Sequence, residues 1–204
     1  MELKKELKIP LKESIVSIFG PPGIGKTTFC YQIVKENIEE VNEVFYIDTE
    51  KGFSKERFLQ IFPEFERFKD KFNFFEIKNF EELNEFLRKF NSKNSLLIVD
   101  SLSMPYRLIL KENLEKINQE LAKTLYELLN KSENNFIVLV NHSYFLNNEH
   151  RVIGGDLIRY FSKVLIEMNF ENGRRKIKIL KHKFLEPKEI KFEIKKEGFK
   201  KKLF

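Results

Sequence analysis

Ile15-Val16-Ser17-Ile18-Phe19-Gly20-Pro21-Pro22-Gly23-Ile24-Gly25-Lys26-Thr27-Thr28 decides how the rest of the chain is read. Residues 15–19 read as a buried strand ending at Gly20. From Lys26 to about Asn37, Phe29, Ile33 and Val34 recur at helical spacing. Between strand and helix, Gly20-x-x-x-x-Gly25-Lys26-Thr27 has the spacing of a phosphate-binding loop. Glycines let backbone N–H groups turn toward phosphate oxygens, and the following helix points its N-terminus at the same charge. Lys26 is expected to reach the β- and γ-phosphates, and the Thr27 hydroxyl to ligate Mg²⁺. ATP and Mg²⁺ are therefore the expected ligands. Gly20, Pro21, Pro22, Gly23, Ile24, Gly25, Lys26, Thr27 and Thr28 are the expected nucleotide contacts.

Outward from this stretch, strand and helix signals alternate, which predicts an α/β fold with a mostly parallel central sheet flanked by helices. Strands are predicted at 44–48, 72–77, 96–100 and 136–141. Helices are predicted at 55–62, stopped by Pro63, after the capping residue Asn79, and at 114–131. Residues 143–153 read as a polar loop ending at Gly154-Gly155. Beyond them the period drops to two: Val164, Ile166, Met168 and Phe170 lead to an Asn172-Gly173 turn, and Ile177 and Ile179 return antiparallel. Ile190, Phe192 and Ile194 mark a last strand, completing a C-terminal antiparallel hairpin extension. With neither a repeat nor a flexible linker, residues 1–204 read as a single ATPase domain, with 1–13 as an N-terminal segment and 196–204 as a basic tail.

Composition agrees with a globular protein of ordinary core: 42% hydrophobic and 33% charged residues in 204. The apolar runs are of strand length, and the first residues lack a signal-type apolar core, so no membrane partner is expected. A single cysteine, Cys30, excludes an intrachain disulfide and makes the cytoplasm the expected compartment. The net charge of +6 permits contact with an anionic polymer. Much of it comes from Lys195, Lys196, Lys200, Lys201 and Lys202, which a solvated tail explains equally well.

Two carboxylates stand where strands end. Asp100 closes the run Leu96-Leu97-Ile98-Val99; there a carboxylate can hold the Mg²⁺ shell, although aspartate is also a common turn residue. Glu50 follows the second strand in Tyr46-Ile47-Asp48-Thr49-Glu50. It could orient and deprotonate the water that attacks the γ-phosphate, or be an exposed loop acid.

The order of these motifs resembles the RecA/RadA recombinase superfamily, and within it the archaeal RadB-like branch. Residues 20–28 resemble the P-loop, Asp48-Thr49-Glu50 followed by Glu56-Arg57 a second motif, and Leu97-Ile98-Val99-Asp100-Ser101 the Walker B strand. Tyr106-Arg107 resembles the start of the first DNA-binding loop. Asn141, the 143–153 stretch and Gly154-Gly155 resemble the second. Lys181-His182-Lys183, then Glu186-Pro187, completes the match, which spans roughly 14–195. The resemblance implies a RecA-like fold in which Glu50 and Lys26 are catalytic, Thr27 and Asp100 hold the metal, and Arg57 stacks on adenine. It implies that Lys181 and Lys183 lie near a subunit boundary, able to act on a neighbour's ATP. An exposed strand face is the other reading of those two lysines. For single-stranded DNA the candidates are Arg107, Lys111, Tyr144, His150 and Arg151, with Phe145 available for stacking.

Three departures from the family pattern bear on mechanism. His142 stands where the family has a glutamine γ-phosphate sensor. Lys51 replaces the glycine after the catalytic glutamate. No Phe-x-x-Ala subunit-docking linker is found, since the sole alanine, Ala122, follows Gln119 by three. These imply an accessory ATPase of homologous recombination and DNA repair, with weak hydrolysis and a RadA-type recombinase as partner; a homo-oligomer is compatible with them. A KaiC-like regulatory ATPase, acting as an ATP-gated protein switch without DNA, is the alternative. That branch usually has two adjacent acids after the second strand, where this chain has Glu50-Lys51. A small-molecule kinase would need an acceptor site or lid that the sequence does not display.

Overall fold

The computed structural model describes residues 2–9, 14–109, 114–147 and 149–202. After a one-turn helix α1 (Leu3–Glu6), the chain enters β1 (Ser14–Gly20), buried along its whole length, and turns through the P-loop into α2 (Lys26–Asn37). There follow β2 (Val44–Asp48), α3 (Lys55–Ile61), a 3-10 stretch (Pro63–Lys71), β3 (Phe72–Glu76), α4 (Phe80–Lys89) and β4 (Leu96–Asp100). Pro63 ends α3 as expected, because its ring cannot continue an α-helix hydrogen-bond ladder. Asn79 caps α4, its side chain accepting from the Glu82 N–H at 2.9 Å.

Helices α5 (Ser103–Ile109) and α6 (Leu114–Ser132) lead to β5 (Phe136–Leu146), β6 (Glu149–Val152) and α7 (Gly155–Phe161). The chain ends in β7 (Val164–Glu171), β8 (Arg174–Lys181), β9 (Lys188–Lys195) and β10 (Gly198–Lys201). All but β6 lie in one path, β10-β9-β8-β7-β1-β5-β4-β2-β3. The six strands from β7 to β3 are parallel, and β7 to β10 are antiparallel. The C-terminal ends of β1, β4 and β2 therefore gather at one edge, where ligands bind in open α/β sheets. One apolar cluster, centred on α2 and an aromatic group around Tyr31, Tyr46 and Phe58, covers one sheet face. The other, built on α4, α6 and α7, covers the opposite face.

Three segments differ from the sequence reading. The stretch 143–153 is not a loop: β5 runs on to Leu146 and pairs antiparallel with β6, Tyr144 facing Arg151. Helix α7, starting at Gly155, has no counterpart in that reading. Residues 198–201 form an edge strand rather than a free tail. Phe199 is buried there, its ring edge-on to Phe29 and stacked on Phe192. The turn at Asn172-Gly173 is as expected, both residues having left-handed φ (51° and 72°), the geometry of a two-residue type I′ hairpin.

Candidate ATP site and nucleic-acid interface

The P-loop is held by close backbone packing. A side chain at Gly20 would place its Cβ 2.1 Å from the Met168 carbonyl oxygen of β7. Gly25, the residue before α2, has φ 112°, and a Cβ there would lie 2.3 Å from Ile194 of β9. Only glycine satisfies both positions. Lys26 is buried, and its Nζ donates to the carbonyls of Gly20 (2.9 Å) and Pro21 (3.0 Å), folding the ammonium back over its own loop.

Beside it lies Asp100, its Oδ2 accepting from Tyr46 Oη at 2.8 Å and its carboxyl also hydrogen-bonded by Thr27. Burial pushes Asp100 up to about 6. The Tyr46 and Thr27 hydrogen bonds pull the other way, and the nearby Glu50 and Asp48 charges add to the rise. A buried carboxylate beside a threonine hydroxyl is a donor pair short of charge compensation, which a divalent cation would supply. Among the described residues no group of three or more His, Cys, Asp and Glu side chains forms a closed metal site. Thr27 and Asp100 thus suit Mg²⁺, which binds through few protein ligands together with nucleotide phosphates.

Asp48 shapes the loop that carries Glu50. Its carboxylate accepts from the backbone N–H groups of Glu50 (2.9 Å), Gly52 (3.3 Å) and Phe53 (2.9 Å). Lys51, in the place of a family glycine, has φ 55°, so the position does require the left-handed conformation that glycine adopts without cost. Thr49 ties this loop to β4: its N–H donates to Asp100 O at 2.9 Å and its hydroxyl to Ser101 O at 2.6 Å.

Glu50 closes a ring of hydrogen bonds. Its Oε1 contacts His142 Nε2 at 2.6 Å and accepts a short bond from Ser101 Oγ. Ser101 Oγ lies 3.0 Å from Ser103 Oγ, which accepts from the His142 N–H at 2.8 Å. Burial works against ionisation of Glu50, but the bonds from His142 and Ser101, with the His142 and Lys26 charges, hold it below the usual carboxylate value. In register with the end of β1, Phe19 faces Asn141 and Gly20 faces His142. The Asn141 amide is 1% exposed, and neither its oxygen nor its nitrogen has a hydrogen-bond partner. A buried unpaired amide next to the P-loop is costly unless a ligand meets it.

The structure thus brings together Lys26, Thr27, Asp100, Glu50 and His142. Arg57 lies at the C-terminal sheet extension. Its guanidinium N–H groups donate to Gln60 Oε1 (2.9 Å) and to the carbonyls of Lys196 (3.0 Å) and Lys195 (2.7 Å), clasping the β9–β10 turn. Lys181 is exposed and donates to the Arg159 carbonyl at 2.8 Å, while exposed Lys183 sits 5.2 Å over the Phe184 ring. On the β5–β6 hairpin, Tyr144 and Arg151 are exposed cross-strand neighbours, and His150 packs against Phe145 with ring centroids 5.2 Å apart. Arg107 falls within α5, its side chain beyond what is described; Lys111 lies outside the described residues. Among the described residues no helix is long and apolar enough to cross a membrane. Sequence reasoning missed Tyr46, Ser101 and Ser103 as site residues. Only the adjacency of Ser101 to Asp100 could have signalled one of them.

The AAA domain family matches residues 12–145. The DNA repair and recombination protein RadB of Methanococcus maripaludis strain C7 is 34% identical over 196 residues, covering 92% of this chain and 91% of its own. Its namesake in Methanocaldococcus jannaschii is 32% identical over 200 residues, 92% of each chain. A solved chain described as the crystal structure of the RadB recombinase superposes with a TM-score of 0.78 at 24% identity, covering 97% of this chain and 95% of that one. The last similarity speaks for the fold. Sequence identity above 30% along nearly the whole length speaks for descent, and the chain belongs to the RadB family.

Proposed function

We propose that this protein is an accessory ATPase of homologous recombination and DNA repair, binding ATP with Mg²⁺ and single-stranded DNA and hydrolysing ATP slowly. Relatives at this level of identity are named as DNA repair and recombination proteins. The observation that carries the reading is the hydrogen-bonded ring around Glu50, because it joins the ATP corner to the strand that continues into the β5–β6 hairpin.

In this reading Lys26 leaves the Gly20 and Pro21 carbonyls to meet the β- and γ-phosphates. Thr27 and Asp100 hold the cation, and Asn141 gains the partner it lacks. Mg²⁺ held there would supply positive charge against the charge that develops on the phosphates. Glu50 orients the attacking water and takes its proton. That step is slow because Glu50 Oε1 already accepts two hydrogen bonds, which lower its basicity. Lys181 and Lys183 would add positive charge to a neighbour's site in a homo-oligomer or beside a RadA-type recombinase, and Arg57 would offer adenine the face of its guanidinium.

The test is ATP turnover measured alone, with single-stranded DNA and with a RadA-type recombinase. Low basal turnover that rises with either addition supports the reading. Absence of DNA binding at low salt with ATP present would remove DNA from it, since phosphate contacts are strongest there.

A further inference from the structure

Between α5, α6, the β5–β6 hairpin and the start of α7 lies a cavity of about 680 Å³ that the ATP reaction does not use. Val152, Ile153 and Leu157 supply its apolar lining, and Tyr144, 46% exposed, a ring at its edge. Three polar side chains join them. Tyr106, 9% exposed, donates from its hydroxyl to Asn118 Oδ1 at 3.1 Å. That bond turns the Asn118 carbonyl toward Tyr106, and its NH₂ is a donor it can offer a ligand. Asp156 lines the same cavity, is exposed and has no ion-pair partner among the described residues. Across the hairpin from Tyr144 stands Arg151, also exposed.

We propose that this cavity receives one base of a bound single strand, and that it favours bases carrying an exocyclic amino group. The inference rests on the DNA-binding reading above and adds a recognition element to it. The chemistry selects the occupant. A cavity with apolar lining and tyrosine rings suits a planar ring, and stacking is indifferent to base identity. An unpaired carboxylate repels phosphate, so a base edge, not the backbone, faces Asp156. It accepts only, so it rewards an amino group and gives a pyrimidine with a carbonyl at that position nothing. Arg151, the exposed cross-strand neighbour of Tyr144 and not part of the cavity lining, is suited to the phosphate of the same nucleotide. The Asn118 NH₂ can meet a ring nitrogen or carbonyl beside the amino group. Cytosine and uracil differ only along this edge, an amino group beside an acceptor ring nitrogen against a carbonyl beside a ring N–H, so they separate the proposal from general strand affinity.

The experiment is fluorescence anisotropy at low salt with labelled oligodeoxycytidine and oligodeoxyuridine of equal length, on the full chain with ATP and Mg²⁺. Wild type is expected to bind the cytosine strand about tenfold more tightly, as a charge-assisted hydrogen bond allows. In Asp156→Ala the ratio is expected to fall to about one. Because Asp156 is exposed, that variant should fold; circular dichroism matching wild type checks this. Tyr144→Leu should weaken both strands together. Equal binding of the two strands by wild type overturns the base pocket and leaves the DNA-binding reading standing. A ratio that survives Asp156→Ala overturns it too. Binding of neither strand overturns both.

Discussion

From Phe136 to Asn141 strand β5 is buried, and it ends the ATP corner; past His142 the same strand carries Tyr144, Phe145 and Leu146 at 46%, 64% and 43% exposure. In the corner, Asp48, Thr49, Glu50, Asp100, Ser101 and Ser103 are held by one another and by backbone groups. On the hairpin, large rings face solvent and the contacts are between cross-strand neighbours. The difference teaches where each region's partner comes from. A preorganised polar corner needs a small anionic ligand and a cation. In the proposed function, an exposed aromatic hairpin beside an arginine would gain its contacts from a long, flat-faced polymer. His142 is the hinge between the two, its side chain in the corner and its strand in the hairpin.

Lys26→Ala should separate the two regions most sharply. Removing the only P-loop ammonium is expected to weaken nucleotide binding by about two orders of magnitude or more, read by isothermal titration. Nucleotide-free DNA affinity should hardly change. Parallel loss of both would mean that the corner and the hairpin are one site.

His142→Ala tests the hinge. The bond and charge from His142 hold the Glu50 carboxyl low, so removing them lets burial raise it. Glu50 works as a base only when ionised. The acid limb of the turnover–pH profile should therefore move to higher pH. Stimulation by DNA should diminish in the same variant. An unmoved acid limb would take His142 out of contact with the catalytic group.

The smallest effect is expected on the hairpin. Arg151→Ala should weaken single-strand binding about uniformly across sequences and reduce the slope of log affinity against log salt by about one. A change in base preference without a change in slope would instead place Arg151 at a base edge.

Much of the corner was legible because its information is local. Residues 20–28 encode a loop by spacing, and Asp100 and Glu50 follow apolar runs that can only be strands. Ser101, Ser103 and Tyr46 were not legible, because their roles depend on β2, β4 and β5 ending side by side, a property of sheet order. The contacts of Arg57 were hidden for the same reason, since its carbonyl partners lie on the β9–β10 turn. The β5–β6 hairpin hid behind its polar residues; its turn at Asn147, φ 51°, lacks a following glycine. Strand β10 hid among lysines. Edge strands carry such charges to discourage further pairing, and Phe199 alone betrays the packing beneath.

The central claim is that Glu50 is the base of a slow ATPase whose carboxylate is held by Ser101 and His142. Single-turnover hydrolysis by wild type and Glu50→Gln, at equal nucleotide occupancy, tests it most directly. The account predicts ATP affinity within about twofold and turnover lowered about a hundredfold or more in the variant. Equal turnover in the two proteins would contradict it.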